Sequence, residues 1–300
     1  PMKLTDWLTA NNISRVEFAR RTRLSPSAVT QLCNNDGAWL SRETAEVIFR
    51  ETRGQVTPND FMSPLELPGE ADLRAASVPE VIEAFGRGEL VIVTDDEDRE
   101  NEGDLFIAAS KCTPERMAFI IRHTSGIVCA PLSGDVARRL RLDPMVAAND
   151  APLGTAFTVS VDVRHGLTTG ISAEERTSTV RALANGNSGA GDFVRPGHVF
   201  PLIAKEGGVL MRTGHTEACV DLCRLAQLPP VGVLAELTKD DGGVMRGPEV
   251  AMFAHRHGLK RISVADLIAY RQARERLVKC IATFPVEPSI GVLTGHTYVT

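Results

Sequence analysis

Leu90-Val91-Ile92-Val93-Thr94 runs without a break into Asp95-Asp96-Glu97-Asp98-Arg99-Glu100-Asn101-Glu102-Gly103-Asp104. The first five residues form an apolar, β-branched run of strand length, which reads as a buried strand. The next ten are a crowd of carboxylates around one guanidinium. Like charges this close repel, and the run is tolerable in two ways. It can float in solvent, or a divalent cation can neutralise it, because hard cations such as Mg²⁺ take carboxylate, water and substrate oxygens.

Outward from that strand, β-branched runs alternate with helical patterns. Further strands are expected at Gly126–Ala130, Ala156–Val163 and Gly232–Leu237. Helices are expected at Pro79–Arg87, Pro114–His123, Glu174–Ala184, Thr216–Ala226, Glu249–His257 and Val264–Leu277. Mixed spacing of this kind predicts one α+β (mixed α/β) domain over residues 75–272. Upstream, residues 1–62 show helical patterns only, so a small all-α domain precedes it. A stretch with Pro58, Pro64, Pro68 and Gly69 has no clear periodicity, and the linker is placed at 63–74.

A hydrophobic fraction of 43% and a charged fraction of 24% are those of an ordinary globular protein. A net charge of −5 gives no global pull towards nucleic acid or membrane, so any DNA contact must come from a local patch. No apolar run approaches bilayer length, and no membrane association is expected. Cys33, Cys112, Cys129, Cys219, Cys223 and Cys280 are scattered without a CxxC pair. Reduced thiols and a cytoplasmic location are the expectation. Cys219 and Cys223, one helical turn apart, fit a buried apolar face.

Four more segments carry chemistry. Arg195-Pro196-Gly197-His198-Val199-Phe200-Pro201 reads as a rigid turn that presents an arginine and a histidine. Arg212-Thr213-Gly214-His215-Thr216 opens a helix, with Thr216 as its expected cap; free N–H groups there, beside Arg212, make a phosphate cradle. Thr168-Thr169-Gly170-Ile171-Ser172 supplies hydroxyls on a tight turn. Glu236 ends an apolar strand, where α/β enzymes place functional side chains. Each also has a bland reading. His215 can be a hydrogen-bonded structural histidine, and Glu236 a strand-end carboxylate paired with an arginine.

In this order, DDEDRENEGDL, RHTSGIVCAPL, GTAFTVSVD, TTGISA, RPGHVFPL, GHTEA and DDGGVMRGPE closely resemble the 3,4-dihydroxy-2-butanone 4-phosphate synthases of riboflavin biosynthesis. The resemblance runs from about Ala75 to Tyr270. It implies conversion of ribulose 5-phosphate to 3,4-dihydroxy-2-butanone 4-phosphate plus formate with Mg²⁺ or Mn²⁺, an α+β fold, and a homodimer with sites near the subunit interface. Carried over motif by motif, Glu100 and His215 are the metal ligands. Arg99, Glu102 and Asp104 surround the sugar, Arg212, Thr213, Gly214, His215 and Thr216 hold the phosphate, and His198 and Glu236 are essential for catalysis. The acidic loop is expected to close on substrate, its self-repulsion relieved when metal and sugar arrive. Lys239–Arg246 departs from the more usual family wording, but no catalytic candidate is replaced. Residues 273–300 resemble the start of a GTP cyclohydrolase II domain. The cysteine cluster that binds its zinc is missing, and no cyclohydrolase activity is expected.

In the first domain, Ser14-Arg15-Val16-Glu17 is a capping box, and Ser25 followed by Pro26 is a strong helix start. Two short helices, a tight turn at Arg23-Leu24 and a polar-faced second helix resemble the helix-turn-helix of Cro- and phage-repressor-like proteins. That implies duplex DNA as a partner, read by Ser27, Thr30, Gln31 and Asn34, with arginines such as Arg20 and Arg42 on phosphates. A small docking bundle is the other reading. A regulator whose synthase-like domain only senses a sugar phosphate is the rival to an enzyme.

Overall fold

The computed structural model describes residues 2–34, 40–61, 73–96, 98–275, 279–286 and 291–299. The chain divides into two units, Pro1–Leu67 and Pro68–Thr300. The residues expected to form the linker fall mostly outside the described ones.

The first unit holds α1 (Leu4–Ala10), α2 (Arg15–Thr22), α3 (Pro26–Asn34), α4 (Arg42–Glu51) and a single 3₁₀ turn, Pro58–Phe61. Leu4, Trp7, Leu8, Phe18, Val29, Ile48, Val56 and Phe61 make its core. Trp7 buries its ring edge-on to Phe18 and donates its indole N–H to Gln55 Oε1 at 2.7 Å. Ser14 caps α2, but the box is not closed: Glu17 turns its carboxylate to Arg20 and Arg21 instead. Arg23, left-handed at φ 57°, makes the tight turn before α3. Ser25 Oγ accepts from the Ala28 N–H and starts α3, as its sequence predicts.

The second unit is built in the order α5 (Val78–Gly86), β1 (Val91–Thr94), β2 (Gly103–Ala108), α6 (Pro114–His123), β3 (Cys129–Leu132), α7 (Gly134–Leu140), β4 (Val161–Val163), α8 (Ala173–Ala184), β5 (Phe193–Ile203), α9 (His215–Leu225), β6 (Gly232–Glu236), α10 (Pro248–His257), β7 (Lys260–Ser263) and α11 (Val264–Arg274). A hairpin of β8 (Lys279–Val286) and β9 (Leu293–Val299) comes last. The main sheet has seven strands in the order β4-β5-β3-β6-β2-β1-β7. Only β1–β7 and β3–β5 are parallel.

Alternate residues of the central strands feed two cores. Ile92, Leu105, Ile107, Val233 and Ala235 pack with Met117, Ile120, Val180, Leu183 and Phe253 of α6, α8 and α10. Val91, Val93, Phe106, Ala108 and Leu234 pack with Val81, Phe85, Ala218, Leu222 and Leu267 of α5, α9 and α11. Helices therefore cover both faces, and the central strands read as unbroken apolar runs rather than as alternation.

Three expectations need correction. Gly103 and Asp104 belong to strand β2, not to a loop, and β2 is buried throughout. Arg195–Pro201 lies within the eleven-residue strand β5 rather than in a turn. The expected strand Ala156–Val163 shortens to Val161–Val163, and α7 is a helix that the sequence pattern does not announce. No helix among the described residues is long and apolar enough to cross a membrane.

Candidate active site

Strand β1 delivers Asp95, and the chain then loops out and returns as β2. Asp95 staples that loop. Its Oδ1 accepts the Glu102 N–H at 3.0 Å, its Oδ2 accepts the Glu100 N–H at 3.1 Å, and Arg99 Nη1 donates to Oδ2 at 2.8 Å. The same guanidinium nitrogen lies 2.6 Å from Glu100 Oε2. The acidic stretch is thus no bare cluster of like charges: Arg99 pairs with Asp95 and Glu100, and backbone N–H groups tie Asp95 down.

β2 then turns Asp104 inward. Its register partner on β6 is Glu236, so two carboxylates stand side by side on neighbouring strands. His215, first residue of α9, completes the group. Its Nδ1 is 3.4 Å from Glu100 Oε2 and 3.8 Å from Asp104 Oδ2. Asp95, Glu100 and His215 can each offer one donor atom within 4.8 Å of the others. Two buried atoms here have no partner among the described residues, Asp104 Oδ1 and His215 Nε2. Asp95 has both oxygens engaged by the loop, so Glu100 and His215 are the freer donors.

The environment separates these groups. Burial, with Glu236, Glu100 and Glu102 nearby, pushes the Asp104 carboxyl above the carboxylate range against the pull of His215. Burial also lifts Glu102, helped by Glu100 and Glu236. Glu100 goes the other way, held down by its hydrogen bond to His215 and by Arg99 against burial. Burial opposes charge on His215, but Asp104, Glu100 and Asp95 outweigh it and favour the imidazolium.

Glu236 is half-buried and accepts a hydrogen bond from Ser125 Oγ at 2.7 Å, so it is not the arginine-paired strut of the bland reading. Arg246, from the Lys239–Arg246 segment that departs from family wording, reaches to 3.6 Å from Glu102.

The cap of α9 is Gly214, not Thr216, which is buried inside the first turn. No side chain therefore occupies the first N–H groups of the helix. Arg212 stands beside this start, held by Glu217 at 2.6 Å, the Leu153 carbonyl and Thr155 Oγ1. A Cβ on Gly214 would meet the guanidinium, so a larger residue there would displace Arg212.

His198 stands apart from the acidic group. Its Nδ1 is 2.7 Å from Asp162 Oδ2, and its backbone N–H reaches Asp162 Oδ1 at 2.8 Å. Register still places it at the same end of the sheet: Cys129 pairs with Phe200 on one side and Leu234 on the other. His198, two before Phe200, and Glu236, two after Leu234, point the same way along those strands. Asp162, Ser125 and Glu217 join the site without a role that the sequence motifs assign. The signal for Asp162 is a lone charge in the β-branched run Thr158-Val159-Ser160-Val161-Asp162-Val163.

Paired carboxylates of opposite protonation tendency, an imidazole and a helix start with an arginine beside it make up an arrangement suited to acid–base chemistry, with a second histidine held by a carboxylate at the same end of the sheet. The profile of the 3,4-dihydroxy-2-butanone 4-phosphate synthase family matches residues 79–270, and the chain belongs to that family. It is 54% identical over 226 residues to the probable bifunctional riboflavin biosynthesis protein RIBA 1, chloroplastic, of Oryza sativa subsp. japonica, which covers 74% of this chain and 42% of that protein. The chain spans about half the length of the curated relatives it matches. Among solved structures it is similar to a 3,4-dihydroxy-2-butanone 4-phosphate synthase in complex with two magnesium ions (48% identity, TM-score 0.64, 66% of this chain, 98% of that one). A two-domain synthase from A. baumannii matches with 42% identity and TM-score 0.69, covering 75% of this chain and 66% of that one.

Proposed function

We propose that the second unit converts ribulose 5-phosphate to 3,4-dihydroxy-2-butanone 4-phosphate plus formate. The observation that carries this is the buried Asp104–His215 pair with an unsatisfied polar atom on each partner, set between Glu100 and Glu236. The donor set suits Mg²⁺ or Mn²⁺: carboxylate oxygens beside an imidazole, which ligates in its neutral form. Glu100 and His215 would hold the ion, which would supply Lewis-acid polarisation of a bound oxygen.

The remaining work falls to the chain itself. The N–H groups at the start of α9 and Arg212 bind the phosphate. Arg99, Glu102 and Asp104 surround the sugar. The reaction takes a proton from a sugar carbon, loses a hydroxyl as water, shifts the carbon skeleton and releases formate. Asp104, its carboxyl raised by burial, is suited to give a proton where the ionised Glu100 is not, and Glu236 and His198 shuttle the others. Purified protein should release formate from ribulose 5-phosphate and stop on addition of EDTA. Metal-replete protein that binds the sugar phosphate and releases no formate would instead leave a sensor.

For the first unit we propose a helix-turn-helix that binds duplex DNA. In support, Ser27, Thr30, Gln31 and Asn34 are all exposed on α3 while Val29 is buried beneath them. Dimerisation of the chain would set two such helices on a palindromic site. Arg20 is shared with Glu17, which weakens it as a phosphate contact, and Arg42 pairs with Glu46. Selection from random duplexes at low salt should enrich a site for the full chain, and removing residues 1–62 should abolish it while formate release persists. No enrichment, with or without ribulose 5-phosphate, would leave a docking bundle.

A further inference from the structure

Asp162 is buried, with 3% of its side chain exposed, and each of its carboxylate oxygens is taken by His198. Oδ1 accepts the backbone N–H, which can only donate. Oδ2 faces the ring Nδ1. A carboxylate only accepts, so the ring must present a hydrogen on Nδ1, and in the neutral ring that leaves Nε2 bare. Three devices hold the pair. β5 bulges across residues 195–198, because Val161 pairs with Val199 and the next residue, Asp162, with Val194. Gly197 brings that bulge against β4, where a Cβ would overlap the Val161 carbonyl carbon. Gly170, left-handed at φ 84°, roofs the bond itself: a Cβ there would overlap Asp162 Oδ2 and crowd His198 Nδ1 at 2.7 Å. The turn that carries Gly170 is tied to Glu175 through the Thr168 N–H and hydroxyl and the Ser172 hydroxyl. His198 itself keeps 41% of its side chain exposed.

We infer that Asp162 is a positioning residue for the reaction, fixing His198 as the Nδ1–H tautomer so that Nε2 is a proton acceptor towards substrate. The inference rests on the synthase reading above only for its effect on turnover; the tautomer is a property of the protein alone. It also says why the third element of a carboxylate–histidine pair is a glycine turn: nothing larger leaves room for the bond.

The test uses full-length protein labelled with ¹⁵N-histidine, the His198 signals being those lost in His198→Gln. Wild type should show a protonated Nδ1 and a bare Nε2. In Asp162→Asn the amide oxygen must serve the backbone N–H, which turns the NH₂ towards the ring and moves the ring hydrogen to Nε2. Formate release should then fall about 10²–10⁴-fold in kcat, with KM within about threefold. In a His198→Gln background the same substitution should add less than about threefold. Three results would each overturn the inference: a wild-type ring protonated on Nε2, an Asp162→Asn enzyme of full kcat, or an undiminished loss in the His198→Gln background. If Asp162→Asn does not fold, the wild-type tautomer still decides. If wild type makes no formate, the synthase reading has failed and the tautomer again decides the positioning.

Discussion

Glu236→Gln separates chemistry from architecture. Gln has nearly the volume of Glu, and its amide oxygen can keep the 2.7 Å hydrogen bond from Ser125 Oγ. The backbone of Glu236 pairs with Asp104 and donates nothing through its side chain, so the sheet register survives. The substitution also removes one of the charges that raise Asp104 and Glu102, which eases rather than strains the site. Stability should therefore change by less than about 1 kcal/mol, or about 4 °C in Tm for a unit of this size. What is lost is a group able to exchange a proton, usually worth about 10²–10⁴-fold. At about 1.4 kcal/mol per decade that is roughly 3–5 kcal/mol on the barrier. The assay is formate release at saturating ribulose 5-phosphate, beside calorimetry of Mn²⁺ binding and a melting curve. Normal melting with kcat within about threefold of wild type would refute proton transfer by Glu236. A collapsed melting curve would return it to the role of a structural carboxylate.

Glu100→Gln and His215→Ala should each weaken Mn²⁺ binding at least as much as an outer-sphere loss, about 10–100-fold, and abolish turnover; unchanged affinity in calorimetry would show the ligands misassigned. Arg271 fastens Asp221 of α9 at 2.7 Å, both side chains being nearly buried. Arg271→Ala should thus cost about 3–5 kcal/mol in urea unfolding, and a loss below about 1 kcal/mol would count against that clamp. Glu175, exposed but hydrogen-bonded by Thr168, Gly170 and Ser172, has its carboxyl lowered from 4.5 to about 2. A lowered pKa stabilises the turn above pH 4.5, and that support is lost as pH falls towards 2. Protection of the Thr168 amide against hydrogen exchange, relative to its intrinsic rate, should fall across that window, and Glu175→Gln should remove that fall.

The helices are legible where capping chemistry is local. Pro114–His123 is found at its expected bounds because Thr113 caps it and Pro114 sits at its first position. α11 begins where Ser263 and Asp266 close a capping box, but it ends three residues earlier than expected, at Arg274. Strands fare worse. β2 hides behind the acidic stretch, since nothing local tells Gly103-Asp104 apart from the loop that precedes them. β5 passes for a turn for a physical reason: Pro196 and Gly197 do mark an irregularity, but it is a bulge inside a strand, and only the pairing with β4 and β3 distinguishes the two. The acidic group, His215 and Glu236 can be picked out as residues, largely through the resemblance. Their neighbours cannot, because Asp162, Ser125 and Glu217 act through contacts with residues 36, 111 and 5 positions away in the chain.

That difference explains why the acidic stretch looks costlier in sequence than it is in the fold. Read along the chain, its carboxylates face one another. In the fold they are dispersed among unlike partners: Asp95 spends its charge on two N–H groups and Arg99, Glu100 on Arg99 and His215, Glu102 on Arg246, and Asp104 on His215. Like-charge pressure still bears on Asp104 and Glu102. The uncompensated demand is narrower, confined to one oxygen of Asp104 and one nitrogen of His215, both buried and both without a partner among the described residues. An unsatisfied buried polar atom costs about 1–3 kcal/mol. A site that carries two of them at the meeting point of β2, β6 and α9 has set aside that free energy for whatever supplies their partners. Binding there should be favourable in proportion to how well both atoms are satisfied at once.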